Sequence, residues 1–586
     1  LNSTRLTDPR RRRRRLGPWI ALMFLLFVMA AGAAWWLSAN LPNSEHTTPD
    51  YRSKPSAIMI RGEWTGAYAR GDGEGIRLPL EVAQKLLGDG VRYESGTESI
   101  ILTTDTGVLH FKTGDLDATL NRKPFTLRFS AEKVDGKLYL PLAPLKELFG
   151  VRSEVEDGTG IVTLLMPDST IPRVSVKEGK KKGAKLRSGP DKSYPIVEDL
   201  EPGAALRAWS ESKDEDNGWY RVQAKSGQIG FVSPKDVEPL EAEKVSSAGK
   251  NDQDKPFVAW KTEGQRINLT WEAIYSVQPD TKEIGELKGV NVVSPTWFEL
   301  LDGTGTIRSK ADAGYSAWAR AKGIQVWGLF NNSFDPDRTT QALASYESRF
   351  RMIQQLSAYA KTFRLQGINI DFENVKTSDK DNLVQFVREM TPILHEQGLV
   401  VSIDVTPKSS SEMWSLFLDR ARLGQVVDFM MLMAYDEHWA SSPVAGSVSS
   451  LPWAENSVKR LLEEEDVPSE KLILGIPFYA REWTETPDGQ GGVKVSSKAY
   501  GMDAIAKTIK SKKLTPTVDE ETGQHYVEYK DKDVVKKIWL EDDKSIQARA
   551  ELVKKYNLAG IASWSRSFAS EDIWALLDKH LQSGKQ

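Results

Sequence analysis

Gln366-Gly367-Ile368-Asn369-Ile370-Asp371-Phe372-Glu373 reads as a β-strand that ends in chemistry. Side chains two apart on a strand share a face, so Ile368, Ile370 and Phe372 point one way and Asn369, Asp371 and Glu373 the other. Two carboxylates on one enclosed face repel each other, which lifts one pKa toward the range where a carboxylic acid can donate a proton at neutral pH. The segment predicts a site at the mouth of a strand rather than a packed core.

Seven more apolar stretches have strand length: Ile267 to Ala273, Val290 to Phe298, Ile324 to Phe330, Val400 to Thr406, Val427 to Tyr435, Leu472 to Tyr479 and Gly560 to Trp564. Between several of them, as in Arg351 to Phe363, Asp381 to Glu396 and Ala454 to Glu464, apolar residues recur at helical spacing. Eight strands alternating with helices over residues 258–582 predict an α/β TIM (β/α)8 barrel with its site at the C-terminal strand ends. Arg481 to Tyr556, between the last two strands, predicts a small α+β insertion walling the groove.

The strand-four segment resembles the Asp-x-x-Asp-x-Asp-x-Glu signature of glycoside hydrolase family 18, the chitinase-like family. Met433-Ala434-Tyr435-Asp436 ends strand six as that family's Met-x-Tyr-Asp does, and Trp564 ends strand eight where the family has a tryptophan under the sugar. The resemblance implies substrate-assisted retention, an exception to the usual scheme of two opposed carboxylates. Glu373 would protonate the glycosidic oxygen, the 2-acetamido carbonyl would attack its own anomeric carbon, Asp371 would steady the acetamido nitrogen and Tyr435 its oxygen. Gln366 and Asn369 replace the first two aspartates of the signature. Asn369 is expected to hydrogen-bond Asp371 and cannot take up a proton. Asn-Ile-Asp-Phe-Glu, with Asn268-Leu269-Thr270-Trp271-Glu272 and Ser294-Pro295-Thr296-Trp297, is more similar to the spore and cell-wall branch, which is associated with peptidoglycan.

Among the 18 tryptophans, Trp271, Trp297, Trp327 and Trp564 lie near strand ends and are candidate sugar platforms, as is Trp439; Trp318 and Trp539, between strands, read as packing. Glu272, Asp436 and Asn369 are candidate substrate-binding or supporting polar groups, and Asp404, with inward parity, is a weaker one. His438 follows a strand end, but six histidines and no cysteine make a metal site an unpromising reading, and no cofactor is implied.

Before the barrel the chain is modular. Residues 56–168 contain a repeat: Ile76-Arg77-Leu78-Pro79-Leu80 and a helix to Leu87-Gly88 are echoed by Leu138-Tyr139-Leu140-Pro141-Leu142 and a helix to Phe149-Gly150. This α+β unit resembles the stalk-like domain related to the N-terminal domain of copper amine oxidases, with no copper chemistry implied. Gly71-Asp72-Gly73-Glu74-Gly75 precedes a strand and does not read as a phosphate loop. Short strands and turns over 172–240, including Gly218-Trp219-Tyr220-Arg221-Val222 and Gly227-Gln228-Ile229-Gly230-Phe231-Val232, resemble a bacterial SH3-like barrel, a wall-binding module or a spacer. Residues 241–257 read as a linker.

Arg10 to Arg15, within a basic tail 1–15, precede a charge-free stretch, so the run is better read as a topology signal than as a nucleic-acid footprint. Residues 16–38 are long enough for a transmembrane helix, with Trp19 and Trp35-Trp36 at interface positions, and 39–55 form a polar tether. The expectation is a single-pass cell-membrane anchor with the bulk of the chain outside, the alternative being a cleaved signal at Ala31-Gly32-Ala33.

The function expected is a glycosidase acting on β-linked N-acetylglucosamine glycan, peptidoglycan preferred and chitin the near rival. A non-catalytic glycan-binding lectin and a wall scaffold are the alternatives from other classes.

Overall fold

Eight parallel strands close on themselves in the C-terminal part of the chain: β1 (Ile267–Glu272), β2 (Val292–Pro295), β3 (Gln325–Asn331), β4 (Gly367–Asp371), β5 (Val400–Val405), β6 (Phe429–Met433), β7 (Leu472–Pro477) and β8 (Gly560–Trp564). Each pairs with the next, and β8 returns to β1 through Ile267↔Gly560. This computed structural model describes residues 17–209, 218–246, 257–258, 265–488 and 491–582. The strands are buried on both faces, as parallel strands between a filled interior and a ring of helices must be.

Alternation along the strands sorts side chains into two cores. Leu269 and Trp271, Trp327 and Leu329, Val400, Met431, Ile473 and Ala562 fill the barrel interior. Val326, Phe330, Ile368, Ile370, Ile403, Leu432, Leu474 and Ile561 face outward to the helices. At the bottom of the interior Trp327 stacks on Phe429 at 5.6 Å. Gly367 leaves the space for that ring, since a Cβ there would lie 2.8 Å from Trp327. Between β7 and β8 the insertion forms a five-stranded antiparallel sheet spanning Tyr479–Pro487 to Val534–Trp539, with the helix Met502–Lys512.

The chain falls into two compact units: residues up to Gly88 with Arg128–Asn251, and Asp89–Leu127 with Asp252 onward. In the first, the repeated strands Arg77–Pro79 and Lys137–Pro141 pair with each other, Leu78 opposite Leu140, and each runs into a helix. Seven antiparallel strands from Thr170–Val176 to Val237–Lys244 make the SH3-like part, so the expected linker begins within a strand. In the second unit, a five-stranded meander from Val91–Glu94 to Lys123–Thr126 belongs with the barrel.

The membrane expectation is corrected. Gly17–Asn40 is helical, but among the described residues no helix is long and apolar enough to cross a membrane. The transmembrane helix, the membrane partner and the cell-membrane location therefore have no support. The basic tail, 1–15, lies outside the described residues.

Candidate active site

The C-terminal ends of the strands open into a cleft of about 620 Å³. Asp371 and Glu373 from the end of β4, Trp271 from β1, Asp404 from β5, Tyr435 and Asp436 after β6, Tyr479 after β7 and Trp564 from β8 line it. Asn332 fixes the backbone around the acid: its Oδ1 accepts from Glu373 N at 3.1 Å and its Nδ2 donates to Glu373 O at 2.7 Å. Trp271 packs edge-on to Tyr435 at 6.4 Å and tilted against Trp564 at 6.1 Å, so three rings form one aromatic corner beside the carboxyl groups.

Enclosure dominates the electrostatics. Burial pushes the Asp371 carboxyl up to about 7. Burial, then the charges of Asp371 and Asp436, raise Glu373 well above the usual carboxylate range, which favours its protonated form. Burial also raises Tyr435, followed by the nearby Asp404, Tyr479, Asp371 and Glu373, and its hydroxyl stays a donor. Asp436 takes a left-handed backbone at φ 60°, which turns the chain straight after Tyr435.

Seven of the residues singled out by sequence, Glu373, Asp371, Tyr435, Trp271, Trp564, Asp436 and Asp404, meet around this cleft. Six do not. Asn369 lies beneath it, fully buried, and its amide turns to β5 instead of to Asp371: Nδ2 donates to Asp404 Oδ2 at 2.8 Å and Oδ1 accepts from Ser402 Oγ at 2.9 Å. Trp327 fills the barrel bottom, and Trp297 packs outside against Tyr315 and Phe298. Glu272 points out of the barrel, paired with Arg566 and accepting from Tyr315 OH at 3.2 Å. Trp439 is exposed, and His438 Nδ1 meets Ser447 O at 2.9 Å.

Tyr479 was absent from the sequence candidates, although it continues the inward parity of β7; its hydroxyl donates to Asp436 Oδ1 at 2.7 Å. Trp414, on the short helix Glu412–Leu416, and Phe334, on a turn, form a tilted pair 6.3 Å apart on the rim, in segments that carry no periodic signal.

Residues 320–569 match the family model for glycosyl hydrolases family 18. Most of the barrel is thus similar to family 18 glycosyl hydrolases. Residues 182–238 match the bacterial SH3 domain and 71–164 the copper amine oxidase N-terminal domain. Over 302 residues the chain is 28% identical to an uncharacterized glycosylase, YvbX, of Bacillus subtilis (strain 168), covering 50% of this chain and 84% of that one. It is 26% identical over 256 residues to a cortical fragment-lytic enzyme of the same strain, covering 43% of this chain and 58% of the relative. A putative sporulation-specific glycosylase, YdhD, of that strain is 25% identical over 292 residues, covering 50% and 63%. The match spans less than two thirds of the last two relatives. The family-model match and the relatives named as glycosylases support a glycosidase, and a cell-wall or chitin-type glycan is consistent with them.

A cost to stability accompanies this site. A carboxyl whose folded pKa is raised binds its proton more tightly folded than unfolded, so its contribution is full below the unfolded value and is lost as pH rises to the folded one. For Asp371 that window runs from 3.8 to about 7. Asp371→Asn is expected to remove the loss: its melting temperature should exceed that of wild type at pH 8 and match it near pH 3.5. The gain is about 1–2 kcal/mol, reduced because the cleft admits solvent. Equal differences at both pH values would count against the burial of this carboxyl.

Proposed function

We propose that this chain hydrolyses β-linked glycan containing N-acetylglucosamine, with peptidoglycan preferred over chitin, by substrate-assisted retention. One observation carries the reading. Of the other carboxylates lining the cleft, Glu299 is held by Arg308 and Lys310, Asp436 by Tyr479 and Arg481, and Asp404 accepts from Trp271 and Asn369. A double displacement on protein would need a carboxylate free to act as an opposed nucleophile across from the acid, and these are engaged by partners of their own.

The nucleophile is then the substrate's own acetamido oxygen. Glu373 protonates the departing glycosidic oxygen, Asp371 accepts from the acetamido N–H and offsets the positive charge that develops there, and the Tyr435 hydroxyl donates to the acetamido oxygen. Water, giving a proton to Glu373, opens the oxazolinium ring with net retention. The likeness to enzymes named for cortical fragment lysis and the SH3-type module favour wall glycan over chitin.

The test is N-acetyl dependence. Peptidoglycan and chitin oligosaccharides, each before and after chemical N-deacetylation, are incubated with the protein and new reducing ends counted. Release from acetylated substrate alone is expected, with the newly formed end retained by proton NMR. Equal cleavage of deacetylated glycan would sink the mechanism, and no release from any substrate would favour a glycan-binding protein. Tyr435→Phe should lower turnover about tenfold, the worth of one well-placed hydrogen bond, with the melting curve unchanged. Unaltered turnover would remove Tyr435 from the reaction.

A further inference from the structure

We infer that Asp404 is a positioning residue that holds Asp371's proton in alternation with it, the two residues standing opposite each other in register on neighbouring strands at the cleft. Asn369 pairs with Ser402 and Ile370 with Ile403, so Asp371 and Asp404 follow as the next pair, on backbones ~4.8 Å apart and with the same inward parity.

The hydrogen bonds at Asp404 are lopsided. Asn369 Nδ2 and Trp271 Nε1 both donate to Oδ2, at 2.8 and 3.2 Å, while Oδ1 is buried with no partner. Asp371 Oδ1 is likewise buried without a partner. Bare buried carboxylate oxygens are costly, and two adjacent acids resolve that cost most simply by sharing one proton.

The groups facing the pair are Glu373 on β4, Tyr435 and Asp436 after β6 and Tyr479 after β7; the cations on the rim, Arg308 and Lys310, are tied to Glu299. None bonds Asp404. Burial, then the charge of Asp371, holds Asp404 well above the usual carboxylate range.

Resting on the substrate-assisted reading above, the exchange balances as follows. While the glycosidic C–O bond breaks, Glu373 loses its proton to the leaving oxygen and positive charge grows on the acetamido nitrogen. One O–H bond breaks on Asp371 and one forms on Asp404, leaving Asp371 anionic beside that charge. When water opens the ring and reprotonates Glu373, the proton returns from Asp404 to Asp371. Asn369 cannot serve this purpose because an amide takes up no proton at these pH values; it holds Asp404 instead.

Asp404→Asn discriminates between roles, because an amide copies the shape and hydrogen bonding of a protonated Asp404 but cannot exchange the proton. Kinetics of the full chain on N-acetylglucosamine oligosaccharide and peptidoglycan are compared for wild type, Asp404→Asn and the relocated pair Asn369→Asp/Asp404→Asn. In Asp404→Asn, kcat should fall about 10- to 100-fold with KM within about threefold. The relocated pair should recover at least a third of the lost factor on a logarithmic scale. Melting curves, with Asp404→Ala as the cavity control, identify a misfolded variant. An Asp404→Asn enzyme within twofold of wild type, or a folded relocated pair as impaired as the single variant, overturns the inference. Inhibition by a thiazoline mimic of the oxazolinium ion separates the two claims: an inhibited wild type with an unimpaired Asp404→Asn variant defeats only the proton partnership. A wild type that cleaves but ignores the mimic defeats the substrate-assisted reading and this inference with it.

Discussion

Glu373→Gln is expected to lose about a hundredfold or more of turnover, the usual scale for removing a general acid, while still binding glycan. The change should be clean. Asn332 grips the backbone at Glu373 from both sides, through its carbonyl at 2.7 Å and its N–H at 3.1 Å, so the side chain of a glutamine starts from the same place. What it lacks is the proton. In wild type burial and the charges of Asp371 and Asp436 favour the protonated form. The same cause sets the pH profile: activity should persist through neutrality and fall as pH rises through the raised pKa of Glu373. The measurement is kcat across pH for wild type, with reducing-end release and glycan pull-down for the variant. A variant that turns over within tenfold of wild type would falsify the assignment of Glu373 as acid.

The barrel was legible because parallel strands buried on both faces leave long apolar runs, and these cannot be hidden by surface composition. The site was legible for a narrower reason. On β4, polar side chains at alternate positions break an apolar pattern, and two of them, Asp371 and Glu373, line the cleft. Elsewhere the reading ran out where depth in the barrel mattered. Trp327 has inward parity, yet β3 runs four residues further to Asn331, so its ring fills the floor and not the mouth. Glu272 neighbours inward-facing Trp271 and so must face out, where Arg566 holds it. Asp404 could be placed inward by parity, but its tie to Asn369 is a contact between strands that no single segment encodes. Likewise, nothing in residues 91–126 announces that this meander belongs to the barrel unit.

That last association makes a second strong prediction: Arg349→Met should destabilise the barrel unit by about 3–5 kcal/mol, the cost of leaving buried charges unpaired. Arg349, on the helix Tyr346–Phe363, is fully buried. Its Nε and Nη2 donate to both oxygens of Glu389, on the helix Lys380–His395, at 2.9 and 2.7 Å, and Nη2 also donates to Glu94 of the meander at 2.7 Å. Glu94 in turn accepts from Tyr346 N at 2.8 Å and from Arg92 Nε at 3.1 Å, and Gln385 donates to Glu389 at 2.8 Å. Every formal charge in this cluster is therefore matched, two arginines against two glutamates. Methionine fills much of the space but strands Glu389 without a cation, whereas Glu94 keeps Arg92. Arg349→Met/Glu389→Met should accordingly recover most of the loss, because removing both members of a buried pair is far less costly than removing one. At about 2.1 cal/mol/K of unfolding entropy per residue over a unit of roughly 370 residues, the single variant should melt about 4–6 °C below wild type. Turnover at 20 °C should change little, since neither residue lines the cleft. A double variant as unstable as the single one would show that packing, not charge, is what joins the meander to the barrel helices.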